Sequence, residues 1–140
     1  MKKKRVTGIG GIFFKCDNPE MMKDWYSDNL GLVTNEYGSV FEFRQSDKPK
    51  QKGYAVWSPF PKDTEYFNPS SKNFMVNYRV ENIEALVEEL RSKGVRIVDK
   101  IEIYEYGKFV HILDPEGNKI ELWEPIDEAF TEMYDGKTTK

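Results

Sequence analysis

A strand, a capped helix and then further strands occur twice along this chain, and that repetition constrains the fold more than any other feature. The apolar strand Gly10-Gly11-Ile12-Phe13-Phe14 runs into Lys15-Cys16-Asp17-Asn18-Pro19-Glu20. The Asn18 amide suits an N-cap, where it accepts from a free N–H of the first helical turn. Pro19 suits the first helical position, where no N–H is needed. Met22, Trp25, Tyr26 and Leu30 then recur at helical spacing, and Gly31 supplies the stop. Sixty-four positions after Asn18, Asn82 takes the same part. The strand Phe74–Val80 leads into it, Ile83, Leu86, Val87 and Leu90 form the apolar stripe, and Gly94 ends the helix. The spacing predicts strands at Leu32–Asn35, Ser39–Gln45 and Tyr54–Ser58 in the first half. In the second half it predicts them at Val95–Val98, Lys108–Leu113 and Lys119–Glu124. One α+β domain, 1–140, therefore reads as a βαβββ module over 6–58, a linker over 59–73 rich in proline, and a second βαβββ module over 74–125. A polar tail, 126–140, follows, and its last few residues are expected to be disordered.

The second half ends in a hairpin whose register can be read from its turn. In Asp114-Pro115-Glu116-Gly117-Asn118, proline is pre-set for the second position of a type I turn, and Gly117 follows for the left-handed position. If Asp114 and Asn118 bracket the turn, Leu113 faces Lys119, His111 faces Glu121 and Phe109 faces Trp123. Directly opposed residues of an antiparallel pair share a face. The other face is then Val110, Ile112, Ile120 and Leu122, an aliphatic set suited to lying under a helix. The face with His111, the one histidine of the chain, is where a site is expected. A carboxylate partly desolvated by Phe109 and Trp123, sharing a proton with a neighbouring imidazole, makes an acid–base pair able to take a proton from beside a carbonyl. The alternative is a cross-strand ion pair that fixes register.

Other chemistries are set aside by what the chain lacks. No window approaches the roughly 20 apolar residues of a membrane span, and the MKKKR start is not followed by an apolar segment, so a cytoplasmic protein is expected. The lone Cys16 excludes an intrachain disulfide and is read as a small residue ending a strand. A net charge of −3 with scattered basic residues argues against nucleic acid. The run Asp47–Gly53 reads as a solvated hairpin loop. Gly8-Ile9-Gly10-Gly11 lies within a strand rather than between strand and helix, so it is not a dinucleotide loop. There is no serine-centred nucleophile elbow and no second histidine for a triad. Trp57 and Trp123 are candidates for stacking on a flat ligand, whereas Trp25 belongs to the helix stripe and reads as core.

The paired modules, the helix motif Trp25-Tyr26-Ser27-Asp28-Asn29-Leu30-Gly31-Leu32 and the hairpin Asp114–Pro125 together resemble the vicinal oxygen chelate superfamily, which includes glyoxalases, bleomycin-resistance proteins and extradiol dioxygenases. The resemblance covers Gly10 to Pro125. It implies two βαβββ modules in a curved mixed sheet around a cavity, commonly in a homodimer, which open sheet edges favour on physical grounds as well. Metal-binding members place one ligand on each of four strands. Those positions fall here at Gly10, Trp57, Met75 and Glu121, of which only Glu121 can hold a hard divalent ion. No cofactor is therefore expected, and a divalent metal is disfavoured. The resemblance also turns the Met75, Asn77 and Arg79 side of the second module's first strand toward the cavity. Arg79 would then offer a cation for a carboxylate or phosphate and Asn77 an amide. The alternative for Arg79 is a strand-end residue neutralising nearby acids.

The expected function is that of a glyoxalase/bleomycin-resistance-like protein binding a small organic molecule. Its cavity would be lined by Trp57, Asn77, Arg79, Phe109 and Trp123, with Glu121 and His111 available for acid–base chemistry as in a lyase or isomerase. The rivals are a metal-dependent lyase or dioxygenase recruiting His111 beside Glu121, and a non-catalytic drug-sequestering protein.

Overall fold

The computed structural model describes residues 5–140; Met1 to Lys4 of the basic start lie outside the described residues. The elements are β1 (Val6–Cys16), α1 (Pro19–Leu30), β2 (Ser39–Gln45), β3 (Lys48–Pro61), β4 (Phe74–Val80), α2 (Ile83–Ser92), β5 (Glu102–Tyr104), β6 (Gly107–Leu113), β7 (Lys119–Pro125) and α3 (Asp127–Tyr134). The strands form one open mixed sheet in the order β2-β3-β1-β4-β7-β6-β5. The halves repeat one pairing scheme: the first strand runs parallel to the last, and the last antiparallel to its predecessor. They join through their first strands, β1 antiparallel to β4.

The helix boundaries follow from the caps. The Asn18 side chain accepts from the Met21 N–H at 3.1 Å, and Gly31, at φ 74°, donates its N–H back to Ser27 O. Asn82 accepts from the Ala85 N–H at 3.4 Å. The hairpin has the register that its turn residues predict. His111 pairs with Glu121, Phe109 with Trp123 and Leu113 with Lys119, and Gly117 takes φ 81°.

Alternation along these strands sorts the two faces. Val80, Val110, Ile112 and Leu122 pack under Ile83, Leu86 and Val87 of α2. Trp57 packs on Tyr26 of α1 at 4.7 Å between ring centroids, so α1 shares the α2 face. The opposite face carries Phe13, Val56, Met75 and Trp123 in two further clusters.

The structure departs from expectation in several places. Residues 32–35 and 95–98 form no strand of their own and contribute only the single bridges Thr34↔Ser39 and Ile97↔Ile112. The outer strand of the second half is instead β5. The run Asp47–Gly53 is not a loop, since β3 begins at Lys48 and Gly53 pairs with Phe43. Gly53 is needed there, because the Phe43 ring lies where a Cβ would stand. Trp25 is exposed rather than core; the buried residue of α1 is Lys23, whose ammonium donates to Glu20 and to the carbonyls of Asn35 and Glu36.

The segment read as a polar tail is the largest departure. It forms α3, and Phe130 lies against Trp123 at 5.1 Å and Tyr54 at 5.5 Å. Thr138 and Thr139 are buried, and the Thr139 N–H donates to Val40 O at 2.9 Å. Ile126, Phe130, Met133 and Tyr134 fall at i, i+4, i+7 and i+8, a short stripe that the polar composition of the segment hides, and Phe130 and Tyr134 pack into the cluster around Trp123.

Candidate ligand site

The site grows from the His111–Glu121 pair on the face away from α1 and α2. His111 Nε2 lies 2.8 Å from Glu121 Oε2, and Nδ1 lies 2.6 Å from Asp99 Oδ2. The His111 backbone N–H also donates to Asp99 Oδ1 at 2.8 Å, which locks that carboxylate in place. Glu121 accepts further from the Asn77 amide at 2.7 Å and from the Tyr66 hydroxyl. His111, Glu121 and Asn77 are all buried, at 4%, 2% and 2% exposure, so the pair is a desolvated unit rather than a surface ion pair.

Burial alone opposes a charge on the His111 imidazole. The hydrogen bonds and negative charges of Glu121 and Asp99 outweigh it and hold the pKa above the ordinary histidine value. Both ring nitrogens face carboxylate oxygens, so the protonated imidazole donates to two carboxylates at once. Burial, followed by the charge and hydrogen bond of Glu121, pushes the Tyr66 phenol up, so Tyr66 is a donor throughout the physiological range. Asp99 is partly exposed and lines an open groove of about 660 Å³ outside α2. Hydrogen-bonded contacts thus run from Glu121 through His111 to Asp99, from the buried floor to solvent.

Above this floor is a cavity of about 370 Å³. Its walls are Phe13, Val56, Ser58 and Phe60 from the first half, Tyr66 from the linker, and Glu102, Tyr104 and Phe109 from the outer strands of the second with Tyr106 from the turn between them, and Tyr37 beside them. Tyr66 stacks on Phe60 at 5.6 Å and meets the His111 ring edge-on at 5.4 Å. The linker holds it there because Phe67 is wholly buried among Phe13, Met75 and Phe60. The Lys119 ammonium, lowered in pKa chiefly by burial, donates to Tyr66 O at 2.6 Å.

Of the residues singled out from the sequence, Glu121, His111, Asn77 and Phe109 come together, Asn77 through Glu121 and Phe109 as a wall. Trp57 does not join them. It lies on the α1 face against Phe14 and Tyr26, and its neighbours Val56 and Ser58 take the cavity side. Trp123 is 1% exposed, stacked on Phe109 at 5.7 Å with its indole N–H donated to Tyr106 O, so it supports the wall from behind. Arg79 is also committed elsewhere. Its guanidinium donates to Asp127 at 2.7 Å and to Tyr54 O at 3.2 Å, between the rings of Phe43 and Trp123. It pins α3, which is the reading of Arg79 as a neutraliser of nearby acids.

Tyr66 and Asp99 are the site residues that sequence reasoning missed. Both lie in connecting segments without periodicity, where positions come from the scaffold around them. Tyr104 and Tyr106 were missed with β5 and the turn that follows it.

The four positions at which metal-binding relatives carry ligands do not fit a divalent ion. Gly10 has no donor, and a Cβ there would stand 2.1 Å from Asn77 Oδ1 and 3.0 Å from the Trp123 ring. Trp57 points to α1, and Met75 is wholly buried in an apolar cluster. Both Glu121 oxygens already accept from protein donors. Among the described residues, no group of three or more His, Cys, Asp or Glu is placed to hold a metal ion. The tight space at Gly10 has a consequence for stability. Gly10→Ala is expected to lower it by about 1–3 kcal/mol through overpacking, measurable as a shift in the urea midpoint at unchanged slope.

Comparison with known proteins agrees with this architecture. The family model described as Glyoxalase/Bleomycin resistance protein/Dioxygenase superfamily matches residues 8–122. No curated protein matches the chain. Among solved structures, the methylmalonyl-CoA epimerase of Mycobacterium tuberculosis is 19% identical at a TM-score of 0.58, with 94% of this chain and 96% of that chain covered. A variant of the Streptomyces coelicolor methylmalonyl-CoA epimerase, in complex with 2-nitronate-propionyl-CoA, is 15% identical at a TM-score of 0.64, covering 86% and 96%. The Mn(II)-bound glyoxalase of Novosphingobium aromaticivorans is 16% identical at a TM-score of 0.59, with 87% of this chain matched to 40% of that one. At such identities the likeness is one of fold. No helix among the described residues is long and apolar enough to cross a membrane.

Proposed function

The chain belongs to the Glyoxalase/Bleomycin resistance protein/Dioxygenase superfamily, and from that premise we propose that it binds a small, flat organic molecule over His111 and Glu121 without a metal ion. One observation carries this function: an aromatic-walled cavity of about 370 Å³ closes on a floor of hydrogen-bonded polar groups. Concave, mostly apolar sites with few polar anchors are how proteins hold small ligands. Glu121 accepts from Tyr66, His111 and Asn77 together, so both of its oxygens are already engaged by the protein. Binding of the sequestering kind follows more directly from that than turnover.

A second function, proton transfer by Glu121 and His111 in an isomerase or lyase, is favoured by one specific feature. The chain of contacts through His111 to the partly exposed Asp99 gives a proton from the floor a way out. A ligand that displaced the Tyr66 hydroxyl would open one acceptor position on Glu121 Oε2, the oxygen that His111 also faces.

The expected cytoplasmic homodimer fits the same picture. Val6, Ile9, Ile12 and Phe74 leave an exposed apolar strip on the central strands, and a second copy would cover it.

The experiment combines two measurements on the full chain purified without chelator. Elemental analysis is expected to find no stoichiometric zinc, nickel, iron or manganese. Small aromatic alcohols and amines are expected to move the ¹⁵N imidazole resonances of His111, unambiguous because the chain has one histidine. About one metal ion per chain retained through dialysis would promote the metal-dependent alternative. Unmoved imidazole signals across the probe set would remove the cavity as the binding site.

A further inference from the structure

We infer that the ligand of this cavity is an organic cation, an ammonium group on a small aromatic or aliphatic body, an inference which rests on the binding function proposed above. Aromatic rings make up much of the wall. Tyr104 and Tyr106 stack parallel at 5.4 Å, and Phe109 stands edge-on to both at 5.9 and 5.7 Å. The face of each ring is the negative side of its quadrupole, and a cation within about 6 Å of the centroid is attracted to it, most strongly where water is excluded.

The charges point the same way. Glu121 forms part of the floor and Glu102 part of the wall, and the described lining residues include no lysine or arginine. The imidazolium of His111 is spoken for at both nitrogens by Asp99 and Glu121. Asp99, Glu102 and Glu121 set against His111 and the Lys119 ammonium beside Tyr66 leave the site negative by one charge. The phenols of the wall feel that field: Tyr106 is raised first by burial and then by the Glu121 charge, and Tyr104 chiefly by its hydrogen bond to Glu102.

An anionic ligand would bring like charge to a partly desolvated carboxylate with no free cation to answer it. Arg79, the side chain such a ligand would require, is tied to Asp127 and lies outside the lining. A neutral ligand would use the rings and leave the field unused. A cation uses both, and Glu102 at the exposed rim gives it a charge to approach before it reaches the rings.

The test compares three probes of similar size by calorimetry and by the His111 imidazole resonances of the full chain: benzyltrimethylammonium, benzyl alcohol and phenylacetate. The cation is expected to bind about tenfold more tightly than the alcohol, with no detectable binding of the anion. Glu102→Gln and Tyr104→Leu, both at exposed positions that leave the core intact, are each expected to lower the ratio of cation to alcohol affinity severalfold. Alcohol binding equal to or tighter than the cation, or measurable phenylacetate binding, would overturn the cationic ligand while leaving the cavity as a binding site. A ratio unchanged in both variants would overturn it as well. Binding of none of the three would take down the binding function itself, and so separates the two failures.

Discussion

Arg79→Ala is expected to cost about 3 kcal/mol of stability, among the largest effects of any single change in this chain. The guanidinium is 3% exposed, bonded to Asp127 and Tyr54 O and held between Phe43 and Trp123. Removing one partner of a buried pair leaves the other charge uncompensated, which typically costs about 3–5 kcal/mol. The Asp127 side chain is 24% exposed, so water relieves part of that penalty and the lower end applies. Asp127 opens α3, and its Oδ2 also accepts from Gln45, so the loss should loosen the helix as well as the pair. Urea unfolding measures the first effect, and faster proteolysis after residue 126 under native conditions measures the second. Asp127→Asn keeps an oxygen acceptor and is expected to cost less. An Arg79→Ala protein as stable as the parent would mean that the guanidinium is no strut, and would return Arg79 to the list of ligand anchors.

How much of this was legible in the sequence depended on whether the determining interaction was local. The caps at Asn18 and Asn82 and the turn at Asp114–Asn118 are settled by side chains within four residues, and from that turn the His111–Glu121 pairing follows. Trp57 shows where the method fails. Both alternating sets of β3, Tyr54-Val56-Ser58-Phe60 and Ala55-Trp57-Pro59, contain aromatic residues, so alternation does not say which one faces the ligand. Only packing against Tyr26 decides it. Arg79 lay on the correct face of its strand, but its partner Asp127 stands 48 positions away, in a segment whose composition reads as polar. Tyr66 and Asp99 reach the floor by the same kind of long-range placement, 55 and 12 positions from Glu121 and His111 respectively.

The second large effect is expected at Glu121, and it joins stability to pH. Glu121→Leu leaves the imidazolium of His111, the amide of Asn77 and the hydroxyl of Tyr66 without their common acceptor in a buried site. Such a loss costs about 3–5 kcal/mol. Glu121→Gln keeps one acceptor oxygen and should cost less, but it removes the charge that helps hold His111 protonated. His111 is the group whose folded pKa is raised, with burial opposing and Glu121 and Asp99 prevailing. Its contribution is therefore fully present below the unfolded value of about 6.5 and is lost as pH rises through the higher folded value. In that window the native state holds more protons than the unfolded one, so stability must fall with rising pH. Urea midpoints measured from pH 6 to pH 9 are expected to decline in the parent and to decline less in His111→Gln. In Glu121→Gln the decline should be smaller and end at lower pH, because one of the two carboxylates that raise the imidazole pKa is gone. The ¹⁵N shifts of the single histidine report the same titration directly. An imidazole that titrates at or below the ordinary value in the folded parent would mean that burial wins over the two carboxylates. His111 would then be a neutral ring with one accepting nitrogen, and Glu121 or Asp99 would have to carry the proton, which leaves the net charge of the three groups unchanged but moves it from the floor to Asp99 if Glu121 is the one protonated.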